Sequence, residues 1–148
     1  SQSPFNVGRR VELNDFDEAQ VATLNERYRS RLQSAKEIQV LMDLTGGQPY
    51  LVQMALYTLA ENNWSLKDLQ AVASDERGPF IDHLRWYLWR LQRNEALQQS
   101  LKEILDQGAC EDEYHFQRLR AGGLVKGTSH RAARIRCQLY ADYLQGRL

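Results

Sequence analysis

Residues 45–51 read Thr-Gly-Gly-Gln-Pro-Tyr-Leu, and this stretch decides how the chain on both sides of it is arranged. Gly46 and Gly47 can adopt the positive φ angles that commonly end a helix. Pro49 has its φ fixed near the helical value and lacks the N–H that would need a partner at the first helical position. The stretch therefore predicts a helix end, a tight turn and a new helix start. Such a turn can present free backbone N–H groups to an anion or a nucleotide, or it can be a plain connection between two helices.

Helical periodicity extends from this turn in both directions. Upstream, apolar residues recur at helical spacing over residues 35–45, and downstream the segment 49–62 carries the wide apolar stripe of a helix that faces a core. Residues 73–78 are predicted to be a polar linker without core residues. Further helices are predicted to start at Asp15 or Asp17, at Ser65, near Pro79, at Ala96 and at Glu113.

The pattern changes in the last third of the chain. Residues 124–126 predict a short strand, and residues 127–130 have the composition of a turn. Apolar residues at 133, 135 and 137 then alternate with Arg134 and Arg136, which is typical of a half-buried strand. Two helices followed by a hairpin predict a winged helix.

The fold expected from these elements is mainly α. Residues 1–13 are predicted to be extended, because Pro4 disfavours helix at Ser3. Residues 14–78 are predicted to form a helical bundle, and residues 79–148 a long helix plus a winged helix with one small β-hairpin. A chain of 148 residues is long enough for one domain or two small ones.

The charge balance limits the classes of partner. The chain has 19 Lys+Arg and 19 Asp+Glu, which argues against a protein that coats polyanions in general. The charges are uneven, however: from Tyr114 onward there are seven basic residues and one acidic residue, Asp142. Two cysteines are too few for a disulfide framework or a zinc site, and they favour a reducing, cytoplasmic location. No apolar run approaches the length of a membrane span, so no membrane partner is expected.

Several short motifs, in order, resemble those of the bacterial AAA-like domains, which belong to the STAND class of signalling ATPases. The turn at 46–51 is similar to that family's glycine–glycine–histidine–proline–tyrosine–leucine turn, except that Gln48 replaces the more frequent histidine. The segment Ser-Pro-Phe-Asn-Val-Gly at 3–8, with residues 11–13 and 15–16, resembles the part that leaves the family's nucleotide-binding core. Asp-His-Leu-Arg at 82–85 and Leu-Trp-Arg-Leu at 88–91 resemble the next signature helix of the family. Residues 122–126, 136–140 and 143–144 resemble its closing winged helix.

This resemblance implies a lid and a winged helix that close over a P-loop core located upstream of Ser1 in the same polypeptide. The complete protein would bind ATP or ADP with magnesium, and effector or repeat domains could accompany it. Gly46, Gly47 and Pro49 would then contact the nucleotide. Turn formation alone explains the same three residues equally well.

Two other groups of residues are candidates for binding. Arg85 and Arg90 could sense phosphate from the lid side, since guanidinium groups match phosphate oxygens; salt bridges to Asp82 or Glu95 on an exposed helix face would also explain them. His83 lies on the same apolar helix, where a boundary role is the simpler interpretation.

The second group is a basic patch that suits nucleic acid or an acidic partner. It consists of Arg118, Arg120, Lys126, Arg131, Arg134 and Arg136, beside His130. A winged helix can place such residues on DNA phosphates. The acidic residues 111–113 would repel a phosphate backbone, and Gln117 is the one side chain on the predicted recognition helix that could read bases. DNA binding and a protein contact therefore both stay open, the latter being favoured.

Nothing in the sequence supplies phosphoryl-transfer chemistry. It contains no G-x-x-x-x-G-K-S/T loop and no apolar strand that ends in an acidic pair. We therefore expect no catalytic residue, no metal site and no ATP hydrolysis in this segment by itself. The start at Ser1 suggests a fragment of a longer protein. A third interpretation is a free-standing protein-interaction domain, in which residues 1–13 would be disordered without their partner.

Overall fold

A computed structural model describes residues 14–148 of the chain. Within this range the chain is mainly helical, with one antiparallel hairpin near its C-terminus, so the predicted fold class is confirmed; the segment predicted to be extended, residues 1–13, lies outside the described residues. The elements in chain order are α1 Glu18–Arg27, α2 Ala35–Thr45, α3 Pro49–Asn62, α4 Leu66–Val72, α5 Ile81–Gln92, α6 Glu95–Gln107, α7 Glu113–Ala121, β1 Val125–Ser129, β2 Ala132–Ile135 and α8 Gln138–Leu144.

Short polar side chains fix where the helices begin. Before α1, the Asp17 carboxylate accepts the Gln20 N–H at 2.8 Å, and the Gln20 side chain accepts the Asp17 N–H at 2.9 Å. Ser65 and Asp68 form the same reciprocal pair at α4. These capping boxes satisfy N–H groups that have no partner inside the helix. Side-chain acceptors also cap α2, α6 and α7, through Ser34, Asn94 and Asp112.

Residues 14–84 and 137–139 belong to one compact unit, which we call the helical unit. In it, α1 packs against α2 and α3, α2 against α3, and α3 against α4. Its core is mainly aliphatic, with one aromatic side chain, and includes these completely buried residues: Val21, Leu41, Leu51, Val52, Leu56, Leu59, Leu69 and Phe80. This core comes from the apolar stripes that the sequence places on successive helices.

Residues 85–136 and 140–148 belong to a second compact unit, which we call the hairpin unit. Here α6 packs against α7 and β2, and α7 packs against β1. Its core combines aliphatic and aromatic side chains: Leu91, Leu101, Phe116, Leu119, Leu124 and Tyr140. The domain boundary that the sequence predicts after residue 78 stays a prediction.

The hairpin is longer than the sequence predicts. Val125 pairs with Ile135, Lys126 with Arg134 and Gly127 with Ala133; the register then shifts, so that Ser129 pairs with Ala132. The prediction of a turn at 127–130 is therefore wrong, because β1 continues to Ser129. Gly127 stays in the strand at φ 141°, where a Cβ would overlap the Ala132 carbonyl oxygen.

The predicted features at 73–79 differ from the structure in two respects. Ala73 is 3% exposed, so this stretch does contribute to the core of the helical unit. Pro79 lies before α5 and not in its first turn, since the Leu84 N–H donates to the Phe80 carbonyl at 2.9 Å and the helix begins at Ile81.

Candidate functional site

The turn at 45–51 has the backbone conformation that its glycines predict. Gly46 ends α2 in the left-handed region at φ 65°, and its N–H donates to the Met42 carbonyl at 2.7 Å. Gly47 follows at φ 75°, and α3 begins directly at Pro49. The prediction of a helix end, a tight turn and a helix start is confirmed.

Gly47 is packed tightly against the backbone that precedes α1. The Phe16 N–H donates to the Gly47 carbonyl at 2.7 Å. A Cβ at residue 47 would overlap the Phe16 carbonyl oxygen. Only glycine fits here, and the turn is thereby joined to the segment that directly follows residues 1–13.

The N–H groups of Gly47, Gln48 and Leu51 are satisfied within the chain, which the sequence does not indicate. The Gly47 N–H donates to the Thr45 hydroxyl at 3.2 Å, and the Gln48 N–H donates to the Thr45 carbonyl at 3.2 Å. The Leu51 N–H donates to Oε1 of Gln48 at 2.7 Å. A phosphate group that binds the Leu51 N–H would have to displace the Gln48 side chain, so these N–H groups do not form an open cradle for an anion.

Beside this turn lies an aromatic pair that the sequence analysis missed. Tyr50 follows Pro49 directly and is 48% exposed. Its ring centroid lies 5.2 Å from that of His83, with a tilt of 37° between the rings. His83 is in the first turn of α5, 33 positions further along the chain, and no local pattern could have connected the two. Pro49, Tyr50 and His83 belong to the helical unit; Tyr50 is exposed, and the other two rings are half-buried.

The helical unit also carries an open groove along α1. It measures about 500 Å³ and is lined by α1 and by Gln53 of α3. Phe16 lines this groove, and its N–H donates to the Gly47 carbonyl. The remaining lining residues mix polar and apolar groups: Asp17, Ala19, Gln20, Thr23, Leu24 and Arg27.

Arg85 and Arg90 lie on α5, in its part that belongs to the hairpin unit. Arg85 is exposed. The Arg90 guanidinium lies over the Trp86 ring, 5.4 Å from its centroid. A role of either arginine in phosphate sensing stays a prediction.

The basic residues of the hairpin unit do not all face solvent. Lys126 and Arg134 lie opposite each other in the hairpin register, and Arg131 lies exposed at the tip. Arg118 and Arg120 are exposed on α7. Arg136, in contrast, is half-buried and its Nη1 donates to the Gly123 carbonyl at 3.5 Å. The hairpin register thus brings Lys126 and Arg134 together, while Arg136 has a contact inside the unit.

The hairpin tip is tied to the start of α7. One oxygen of Glu113, Oε2, accepts the His130 N–H at 3.1 Å and lies 3.6 Å from Nε2 of the His130 ring. Nδ1 of this ring lies 2.7 Å from the Cys110 carbonyl and must carry the hydrogen, because a carbonyl only accepts. Hydrogen bonds from the Gln117 side chain and the His130 N–H lower the pKa of the Glu113 carboxyl.

No metal site or membrane span is present among residues 14–148. No three or more His, Cys, Asp or Glu side chains in this range are placed to hold a metal ion. No helix in the range is long and apolar enough to cross a bilayer. Cys110 and Cys137 are free and buried, and burial raises the pKa of the Cys110 thiol.

Comparison with known proteins identifies the family. The AAA-like domain family matches residues 1–146, which is nearly the whole chain. A search of curated proteins found no match, and neither did a search of solved structures. The match covers the glycine turn, the aromatic pair and the hairpin together. The chain therefore belongs to the AAA-like domain family.

Proposed function

We propose that this chain is the nucleotide-state sensor of a STAND-type ATPase, in which a helical lid and a winged helix move as a switch against a P-loop core. The core, upstream in the same polypeptide, would bind ATP or ADP with magnesium and carry the catalytic groups; this segment would hydrolyse nothing by itself. Family membership supports the coarse part of this proposal, an ATPase-associated role. The nucleotide, the cytoplasmic location and any effector or repeat domains are part of the proposal.

The observation that carries the proposal is the joint between Phe16 and Gly47. Phe16 is the last residue of the segment that resembles the exit from the nucleotide-binding core. Its N–H donates to the Gly47 carbonyl, and no side chain fits between the two residues. A displacement of the exit segment would therefore be transmitted to the glycine turn, as a switch between two nucleotide states requires.

The geometry of the turn specifies which part of a nucleotide it would meet. The N–H groups of Gly46, Gly47, Gln48 and Leu51 donate to acceptors within the chain, so contact with phosphate is disfavoured. The Tyr50 ring beside His83 is exposed, and the Pro49 ring next to it is half-buried. These rings suit a base or a ribose. Gly46, Gly47 and Pro49 would shape the contact, and Arg85 and Arg90 would be the groups that sense phosphate.

The first test is the reading frame upstream of Ser1. A P-loop roughly a domain's length before Ser1, followed by a strand that ends in acidic residues, is the expected result. With that complete protein, binding of a fluorescent ADP analogue is measured for the parent and for Pro49→Ala. We expect the variant to bind about fivefold more weakly, which corresponds to roughly 1 kcal/mol.

Pro79→Ala is the matched control, because Pro79 also lies in the helical unit close to a helix start, two residues before α5. It should leave ADP binding unchanged. Equal effects of Pro49→Ala and Pro79→Ala would show that the first acts only through the fold, and an upstream frame without a P-loop would overturn the ATPase proposal.

A second candidate function is DNA binding by the hairpin, favoured by the pair Lys126–Arg134. The hairpin register places these two basic residues opposite each other, and such a concentration of positive charge attracts a phosphate backbone. Binding of duplex DNA should then weaken steeply with salt, and Arg134→Ala should reduce the slope of log K against log salt by about one. Arg27→Ala, an exposed arginine on α1, is the control; equal slopes for both variants would exclude the hairpin.

A further inference from the structure

Three residues hold the tip of the β-hairpin to the start of α7. The Cys110 N–H donates to the His130 carbonyl at 2.8 Å, and Nδ1 of the His130 ring lies 2.7 Å from the Cys110 carbonyl. The third residue is Glu113, whose Oε2 accepts the His130 N–H at 3.1 Å. We call Cys110, Glu113 and His130 the tip contact. All three belong to the hairpin unit.

The tip contact determines which ring nitrogen of His130 can take up a proton. A carbonyl only accepts, so Nδ1 carries the hydrogen in the neutral ring, and Nε2 is the nitrogen that gains a proton when the ring becomes charged. Nε2 lies 3.6 Å from Oε2 of Glu113. Without the proton, both of these atoms are acceptors and cannot bond to each other. With the proton, Nε2 becomes a charged donor that faces a carboxylate.

The Glu113 carboxylate is fixed in position and charged. Its Oε1 accepts the Gln117 side-chain amide at 2.9 Å, and its Oε2 accepts the His130 N–H. These two hydrogen bonds, and then the charge of the His130 ring, lower the pKa of the Glu113 carboxyl. The carboxylate is therefore ionised over the range of about pH 5 to 8 in which imidazole groups change their charge. A fixed negative charge thus lies beside Nε2.

Among the residues that the structure describes, Glu113 is the one carboxylate that forms an ion pair with His130. The Asp112 carboxylate caps α7 and lies 3.7 Å from the ring of a different histidine, His115. The Cys110 thiol is buried, and burial raises its pKa, so it stays neutral. The remaining charged groups on the neighbouring elements are Glu103 of α6, Glu111 of the loop before α7 and Arg131 of the hairpin tip.

We propose that the tip contact is a proton-sensitive switch, in which protonation of His130 adds a bond from Nε2 to Glu113 and holds the hairpin tip against α7. The added bond requires the charged ring, so it is present near pH ~5 and is lost as the pH rises toward ~8. The exposed Arg131 follows His130 directly, so the same switch would control how firmly this cation is positioned at the tip.

Amide hydrogen exchange of the 148-residue chain tests the proposal. The readout is the protection of the Cys110 amide, which is bonded to the His130 carbonyl, after correction for the intrinsic effect of pH on exchange. Relative to the Leu101 amide in α6 of the same unit, this protection should be at least about twofold greater at pH ~5.5 than at pH ~8.

Two variants should abolish the pH difference. In His130→Asn, the side-chain amide can replace Nδ1 as the donor to the Cys110 carbonyl, but it has no nitrogen that titrates. In Glu113→Gln, the side-chain oxygen can still accept the His130 N–H, but the negative charge is gone. Circular dichroism checks that both variants fold.

His115→Asn is the matched control, because His115 is also half-buried and also lies close to an acidic residue, Asp112. It should keep the pH difference of the parent. Nitrogen-15 NMR of the His130 ring should show the hydrogen on Nδ1 at pH ~8. The proposal is overturned if the parent shows less than about a twofold difference, if His130→Asn or Glu113→Gln retains it, if His115→Asn loses it, or if Nε2 carries the hydrogen at that pH.

Discussion

A Gly-Gly dipeptide follows a helix in each of the two units, and the two dipeptides differ in which of their residues has a positive φ angle. After α2, both Gly46 and Gly47 have positive φ angles, 65° and 75°. After α7, Gly122 has the helical φ of −77°, and Gly123 alone is left-handed, at 83°. The sequence therefore predicts where each helix ends, while the need for glycine varies from one position to the next.

The surroundings of the two left-handed second glycines differ as well. A Cβ at Gly47 would meet backbone, the Phe16 carbonyl oxygen. A Cβ at Gly123 would meet the ends of two side chains, Nη1 of Arg136 at 3.0 Å and the Tyr87 hydroxyl at 3.2 Å. Backbone cannot give way without moving a whole segment, whereas side-chain ends can turn aside. The turn in the helical unit is thus the more rigid of the two.

The largest effect should come from Gly47→Ala. Its left-handed φ costs roughly 1–2 kcal/mol for an L-residue. The overlap with the Phe16 backbone adds to this cost, so we expect a loss of about 3 kcal/mol or more in the free energy of unfolding. Urea titration followed by tryptophan fluorescence measures it.

Gly146→Ala separates the two causes. Gly146 also has a positive φ, 85°, but no atom lies within 4 Å of its Cβ position. This variant should lose only about 1 kcal/mol. If its free energy of unfolding falls as much as that of Gly47→Ala, the φ angle explains both results, and the close approach of Phe16 does not contribute to the loss.

Gly123→Ala should have an intermediate effect. Alanine at residue 123 would pay the cost of a left-handed φ, as at residue 47, and would also displace the ends of the Arg136 and Tyr87 side chains. We expect a total loss of about 2 kcal/mol in the free energy of unfolding. Combining Gly123→Ala with Tyr87→Phe, which removes the crowding hydroxyl, tests the cause. The double variant should lose less than the sum of the two single losses, and simple additivity would show that Tyr87 does not crowd this position.

The smallest effect is expected at the hairpin tip, where the bonds of Glu113 lie at the surface. Folding lowers the pKa of the Glu113 carboxyl. The ionised carboxylate therefore stabilises the folded state at pH values above its unfolded pKa of about 4.3. This stabilisation is lost as the pH falls through the folded-state pKa. Glu113→Gln should lower Tm slightly at neutral pH, and the difference from the parent should vanish once the pH is below the folded-state pKa of Glu113. Glu18→Gln is the control, since Glu18 is also the first residue of its helix; an equal pH dependence there would assign the effect to the helix dipole.

Much of the helical architecture could be predicted because its signals are local. Asp17 and Ser65 cap helices, Pro49 starts one, and Gly46 and Gly108 end two others, as local chain chemistry requires. Each signal acts within about four residues of the end that it marks. These helix ends are therefore confirmed to within a residue or two.

The surroundings of the candidate site could not be predicted, because they depend on contacts between distant residues. Nothing near Tyr50 indicates that His83 lies beside it, and nothing near Gly47 indicates that Phe16 closes on it. Gly127 was mistaken for a turn residue because its place in the strand depends on Ala132, across the hairpin. The satisfied N–H groups were missed for another reason: glutamine is not among the preferred caps, although Gln48 acts as one.

The bond between Phe16 and Gly47 also provides a reporter that needs no label. Phe16 precedes α1, so its amide hydrogen is held by the Gly47 carbonyl and not by a helical ladder. An amide hydrogen exchanges with solvent deuterium only when its hydrogen bond opens. The rate of deuterium uptake at this one amide therefore measures how often the turn separates from the segment before α1. Comparing that rate in the complete protein with ATP and with ADP would test the proposed switch.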